Sequence, residues 1–268
     1  MQVQALGIIS IYNTNNMNFQ SKTISKPTIT RVQKNIGCDS VSFTNTVKNN
    51  IKRVIILLGA PNSGKGTCAR EISARYSIPQ ISTGDILRNE MKNETDLGKK
   101  VQSYMISGRL VPDDLVIDIF KTRIAKPDCN NGFILDGFPR TVQQAEKLEE
   151  LLKKEKNIDV RVINLDVDEN ILYERSAKRY MCKDCSRTYS IKDYNPLSSK
   201  CECGGQLIKR VDDTPEVLSK RLESYKKQSL PLLDFYSDRI INFEVHDNST
   251  QATKVISDIL KTFDDVAC

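Results

Sequence analysis

Histidine is almost missing from this chain of 268 residues: His246 is the only one. It lies far along the sequence from the cysteines and reads as an ordinary residue at a strand end, so a cluster of soft metal ligands has to be built from cysteine. A run of 18 or more apolar residues is missing too, which leaves no segment that reads as a membrane-spanning helix. A general excess of positive charge is also lacking. The formal charge is +6, but residues 1–50 hold Lys22, Lys26, Arg31, Lys34 and Lys48 against Asp39 alone, so +4 of it lies there. The remainder is too nearly balanced to suggest nucleic acid as a partner. Internal repeats are not found. What is present, 39% hydrophobic and 28% charged residues, fits a soluble enzyme with one sizeable α/β core plus insertions.

Residues 1–50 are rich in Ser, Thr and Asn and show no lasting periodicity. That composition resembles an organelle transit segment (mitochondrion or plastid), although it contains a single arginine; the alternative is a disordered extension without an address, and then a cytoplasmic protein. The apolar patch 5–11 is short and has no basic residue before it, unlike a secretory signal.

The most informative stretch begins with Val54, Ile55, Ile56, Leu57 and Leu58, an apolar, β-branched run that reads as a buried strand. Gly59-Ala60-Pro61-Asn62-Ser63-Gly64-Lys65-Gly66-Thr67 follows, with four residues between Gly59 and Gly64-Lys65, the spacing of a phosphate loop. A triphosphate is best held by backbone N–H groups converging on one concavity. Small residues let the main chain approach, and a helix starting near Lys65 adds the positive end of its dipole. Lys65 is then placed to reach the β- and γ-phosphates, and Thr67 to offer a hydroxyl near Mg²⁺.

Beyond it, the pattern predicts a helix over 64–76, a short strand near 79–82, and a helix capped by Ser82 or Thr83. Helical stretches run on to 107 with a break around Gly98. A helix over 115–124, a strand over 133–136, a charged helix over 141–154 and a strand over 160–167 come next. A long helix starts near 168 and stops at the cysteine segment. A helix over 215–227, a strand over 239–245 and an amphipathic helix over 251–263 complete the chain. Alternation of this kind implies a parallel sheet covered on both faces.

Four motifs occur in order: the phosphate loop, Ser82-Thr83-Gly84-Asp85-Ile86-Leu87-Arg88, Gly108-Arg109-Leu110-Val111-Pro112-Asp113, and Gly132-Phe133-Ile134-Leu135-Asp136-Gly137-Phe138-Pro139-Arg140-Thr141. As an ordered set they resemble the adenylate kinase family, in the long form whose lid carries a zinc knot, over residues 51–263. The resemblance implies an α/β P-loop fold with a five-stranded parallel core in residues 51–268. It also implies a small domain for the nucleoside monophosphate around 82–111, a lid around 178–213, and a monomer. The implied reaction is ATP + AMP giving two ADP, with Mg²⁺ accompanying ATP.

Phosphoryl transfer between two nucleotides crowds negative charge, so such an enzyme needs cations from several segments. Lys65, Arg88, Arg140, Arg179, Arg210 and Arg221 stand at matching positions and are the expected catalytic set; the planar fork of arginine grips two phosphate oxygens and stays charged. Asn62, Ser63, Gly64, Lys65, Gly66, Thr67, Arg175, Arg179, Thr188 and Tyr189 are implied ATP contacts. Thr83, Arg88, Arg109, Leu110, Val111, Gly137, Phe138, Pro139, Arg140, Gln144, Arg210 and Arg221 are implied AMP contacts. The Gln144 amide suits an adenine edge because it both donates and accepts, and Asp136 at a strand end suits Mg²⁺ through water.

Two departures from the family pattern stand out. Asn62 occupies a usual glycine position, tolerable at φ > 0 because asparagine enters that region more readily than other side chains, though its amide threatens to crowd the phosphates. In the lid, Cys182-Lys183-Asp184-Cys185 is a good half-site, but Cys201-Glu202-Cys203 is one residue short of the usual second half. Four thiolates at Cys182, Cys185, Cys201 and Cys203 are expected to hold a structural Zn²⁺, against the alternative of free or disulfide-linked thiols. Cys38, Cys68, Cys129 and Cys268 read as scattered reduced thiols. Rival functions are a GTP:AMP phosphotransferase and a nucleotide-binding sensor that has lost turnover through Asn62.

Overall fold

The structure, a computed structural model, describes residues 51–191, 195, 199–245 and 251–264. The expectations for residues 1–50, His246 and Cys268 lie outside them.

The elements are β1 (Lys52–Gly59), α1 (Lys65–Tyr76), β2 (Gln80–Ser82), α2 (Thr83–Lys92), α3 (Asp96–Ser107), α4 (Asp113–Ile124), β3 (Gly132–Asp136), α5 (Val142–Leu152), β4 (Ile158–Val167) and α6 (Glu169–Lys178). They continue with β5 (Arg179–Cys182), β6 (Thr188–Ser190), β7 (Leu207–Ile208), α7 (Pro215–Ser224), α8 (Pro231–Phe235), β8 (Ile240–Val245) and α9 (Gln251–Asp264). Five strands form one parallel sheet in the order β2-β3-β1-β4-β8. The run that read as a buried strand is its centre. Val54, Ile56 and Leu58 enter the larger core with Phe133, Leu135 and Phe120, whereas Ile55 and Leu57 pack on the other face with Ile72 of α1 and Ile259 of α9. Side chains alternate across a strand, so a central strand covered on both faces has to be apolar throughout.

Several boundaries differ from expectation, each for a local reason. The helix predicted to break at Gly98 breaks instead at Asn93–Thr95, where Glu94 takes φ +52°. Thr95 caps α3 by accepting from the Gly98 N–H at 3.0 Å and donates to Glu90 Oε2 at 2.6 Å. Gly98 lies inside α3 because α2 presses on it: a Cβ there would sit 2.2 Å from the Glu90 carbonyl oxygen. Gly98→Ala is therefore expected to destabilise the protein by about 1–3 kcal/mol, the cost of overpacking. The same change in an open helix would stabilise by up to about 1 kcal/mol, so the sign of the shift in a thermal melt decides the matter.

The helix expected to run long from residue 168 is α6, ten residues, and it gives way to a strand where Arg179 turns extended (φ −81°, ψ 131°). The helix expected to reach 227 is regular only to Ser224. A wider turn over Tyr225–Ser229 and the short α8 follow it. The cysteine segment, for which no strands were expected, forms a second sheet, antiparallel, in the order β6-β5-β7.

Candidate functional site

β1 ends in the loop that leads into α1, and the loop's geometry explains its residues. Gly59 takes φ +135°, and a Cβ there would meet the Leu165 carbonyl oxygen at 2.6 Å. Gly64, at φ +104°, turns the chain into α1. Asn62 does lie at positive φ, +67°. Its amide turns toward α6 and donates to the Leu172 carbonyl at 3.3 Å. The first amides of a helix have no partner within it. Here Gly64, Lys65, Gly66 and Thr67 line a cleft of about 1170 Å³, with the Thr67 N–H turned back to the Gly64 carbonyl at 3.0 Å, and a helix start in such a place suits an anion.

Lys65 crosses the loop. Its Nζ donates to the carbonyls of Gly59 at 2.8 Å and Ala60 at 2.7 Å, and to Ser63 Oγ at 3.2 Å. Burial first, and then Arg140, Arg221 and Arg179, bring its pKa down to about 7 against the opposing pull of Asp136. Asp136 ends β3 beside β1, pairing in register with Leu57, and accepts from Gln80 Nε2 at 2.9 Å. A Cβ on Gly66 would lie 3.3 Å from Asp136 Oδ2, so the carboxylate stands next to the loop.

The five expected arginines come from α2, the β3–α5 loop, β5, the segment after β7, and α7. All line the same cleft as Lys65, as do Arg175, Thr188 and Tyr189. Arg140 is half-buried, with Nε donating to the Gly137 carbonyl at 2.8 Å. Burial pushes Arg210 down to about 10, assisted by Arg88 and Arg179, and acts likewise on Arg221. At neutral pH both remain cations.

Three carboxylates that the sequence reading had passed over hold these cations apart. Arg88 pairs with Asp85 at 2.5 Å and approaches Asp212 at 3.8 Å. Arg221 pairs with Asp212 at 3.1 Å, and Arg179 forms a two-pronged pair with Asp213. Burial opposes ionisation of Asp85 and Asp212, yet the arginines outweigh it and hold both carboxyls below the usual range. The signal was available: Asp85 precedes Arg88 by one helical turn, and Asp212-Asp213 follows Arg210 after Val211 alone.

A smaller recess adjoins the cleft, lined by Thr83, Arg88, Arg109, Leu110, Val111, Gly137, Arg140, Gln144 and Arg221. These are most of the residues expected at AMP. Thr83 is buried and donates to the Gly137 carbonyl at 2.8 Å. Pro139 lines the larger cleft instead. The Phe138 ring lines neither, being buried and stacked on Phe120 at 4.5 Å. Arg175, one of the residues expected at ATP, reaches the loop, donating to the Ser63 carbonyl at 2.9 Å.

In the second sheet the four cysteines converge. Cys182 Sγ lies 3.5 Å from Cys203 Sγ, Cys185 Sγ lies 3.4 Å from Cys201 Sγ, and all four sulfurs fall within 4.8 Å of one another. Sulfurs around a tetrahedral Zn²⁺ with bonds of about 2.3 Å stand about 3.8 Å apart, so the donor set fits. The short Cys201-Glu202-Cys203 half does not prevent convergence. Gly205 is needed after it, since a Cβ there would meet Cys182 Sγ at 2.6 Å. Cys68 and Cys129 are buried free thiols elsewhere.

Against known proteins, the family model described as adenylate kinase matches residues 57–241. An adenylate kinase of Caldicellulosiruptor bescii is 50% identical over 185 residues, covering 68% of this chain and 86% of that one. One from Clostridium tetani is 48% identical over 187 residues, with coverage of 69% and 87%. One from Bacillus licheniformis is 47% identical over 211 residues, with coverage of 76% and 95%.

Proposed function

Since the chain belongs to the adenylate kinase family, we propose that the cleft at the end of β1 is its active site, with donor and acceptor nucleotides meeting at Lys65 and the five arginines. The protein transfers a phosphoryl group from ATP to AMP and yields two ADP. The similarity favours this reaction over GTP-dependent transfer and over a sensor without turnover. The observation that carries the residue assignment is the convergence of a phosphate loop and cations from five further segments on one cleft.

In this reading the loop from Asn62 to Thr67 holds the ATP phosphates, and Arg175, Arg179, Thr188 and Tyr189 contact the rest of ATP. Thr83, Arg88, Arg109, Leu110, Val111 and the segment Gly137, Phe138, Pro139 and Arg140 hold AMP, with Gln144 at its base. Arg210 and Arg221 bridge toward the AMP phosphate. The acceptor oxygen is already anionic, so no side-chain nucleophile is needed. Transfer is direct and in line, and the protein contributes positioning and charge. Asp85, Asp212 and Asp213 keep the arginines apart until phosphates replace them as partners. Mg²⁺ bound with ATP offsets phosphate charge, and Asp136 and Thr67 are the residues that would hold it. Zn²⁺ in the cysteine cluster would be structural.

The segments 82–111 and 178–213 are proposed as the parts that close over the substrates and exclude water. The protein is proposed to act as a monomer without nucleic acid or membrane partners, with residues 1–50 as its address to an organelle. Among the described residues no helix is long and apolar enough to cross a membrane. A coupled assay of ADP formation from MgATP and AMP tests the central reading, and binding of both nucleotides without turnover would overturn it.

Lys65 also yields a pH dependence. Its pKa is about 7 in the protein alone, and triphosphate charge raises it. Above that pH the free protein has lost a proton that the complex regains, so binding takes one up and affinity weakens as pH rises. Calorimetry in buffers of different protonation enthalpy is expected to show uptake approaching one proton at about pH 8.5 and little at about pH 6. Absence of uptake at the higher pH would mean that Lys65 is already charged before ATP arrives.

A further inference from the structure

Gln144, which the proposed function places at the acceptor's base, is not a free amide. It is 1% exposed and is held at both ends. Its Oε1 accepts from the Arg140 backbone N–H at 2.8 Å, and its Nε2 donates to Asp113 Oδ1 at 2.6 Å. Asp113, the first residue of α4, is itself fixed through its other oxygen, which accepts from Thr141 Oγ1 at 2.8 Å. Thr141 in turn caps α5 by accepting from the Gln144 N–H at 3.1 Å.

A backbone N–H can only donate and an ionised carboxylate can only accept. The two clamps therefore allow one orientation of the amide. Turned over, Gln144 would set its oxygen against a carboxylate and its NH₂ against an N–H. In the orientation held, one N–H and one oxygen lone pair remain for a ligand. That pair matches the edge of a 6-aminopurine, whose N1 accepts and whose amino group donates. A 6-oxopurine presents the reverse, a donating N1–H and an accepting O6, and would need the amide turned over.

We propose that Asp113 is a positioning residue that fixes the Gln144 amide and thereby makes the acceptor site select 6-aminopurine over 6-oxopurine monophosphates. The proposal rests on the reading of Gln144 as the group that meets the acceptor's base.

The test compares kcat/KM for AMP and inosine monophosphate in the wild type and in Asp113→Ala, Asp113→Ser, Asp113→Asn and Gln144→Ala. A well-placed two-point contact with a base gives about five- to 150-fold discrimination. Asp113→Ala is expected to lower the preference for AMP by about tenfold or more, chiefly through a raised KM for AMP. Asp113→Asn keeps an oxygen that accepts from Nε2, so it recovers most of the preference. Asp113→Ser, whose hydroxyl suits a first helical turn but is too short to reach Gln144, carries the same expectation as alanine and guards against a folding failure there. A preference unchanged in the alanine and serine variants but lost in Gln144→Ala would reduce Asp113 to a structural role and overturn the proposal. A preference unchanged in Gln144→Ala would overturn the base reading itself, and the proposal with it.

Discussion

Replacing Lys65 by methionine is expected to lower turnover about a thousandfold, within the range by which removing one transition-state cation slows phosphoryl transfer. Methionine has nearly the same length, so the loop keeps its packing and loses the charge together with the three hydrogen bonds that Nζ donates. That charge is unusually exposed to the reaction. The Nζ is held by two carbonyls and one hydroxyl of the loop itself, with no carboxylate among those partners to compete with phosphate. It stands in a cleft whose remaining cations are engaged, Arg179 with Asp213 and Arg221 with Asp212. If Lys65 follows the moving phosphoryl group, kcat falls further than ground-state binding does, while the KM for ATP also rises because the same charge supports the bound triphosphate. If turnover survives within about tenfold, reaction at this loop is refuted. A melting temperature close to the wild type is the accompanying check that charge, and not fold, was removed.

The parts of this molecule legible in the sequence are those where one physical requirement dominates. A central parallel strand must be apolar on both faces, and 54–58 showed it. A loop that folds round phosphate must place glycine where a side chain would collide or where φ is positive; Gly59 meets both demands and Gly64 the second. The arginines were legible only as members of ordered motifs, because an arginine on a helix ordinarily reads as solvated surface. Their carboxylate partners stayed hidden for the same reason: Asp85 one turn before Arg88 looks like a surface pair until both are found facing the cleft. Gly98 misled because glycine answers to two demands. It breaks helices, and it also permits close approach of backbone, and only the position of Glu90 shows which applies. The strands β5, β6 and β7 left no periodic trace because they are four, three and two residues long.

Those short strands lead to the second large effect. Among the described residues their buried core consists of Cys182, Cys201 and Leu207, flanked by Tyr180, Tyr189 and Ile191. So little apolar burial does not hold a sheet of this size in one conformation, and a metal tying four sulfurs together would supply the missing free energy. Elemental analysis is expected to find one zinc per chain. Removing it with a strong chelator, or weakening it with Cys203→Ser, should lower the melting temperature of the affected transition by about 10 °C, as a loss of several kcal/mol implies for a protein of this size. Disulfides are the competing account of the cluster, but the paired sulfurs stand 3.4 and 3.5 Å apart, well beyond a bond of about 2.05 Å. A metal-free protein with unchanged stability would leave four thiols packed together with no structural task. The expected cost reaches chemistry as well. Arg179 opens β5 and Arg210 follows β7, so both arginines are aimed at the cleft by the sheet that a metal would secure. Metal loss should therefore reduce turnover even at temperatures where the parallel core remains folded, and that separation of activity from global unfolding distinguishes a lid held by zinc from a sheet that stands by itself.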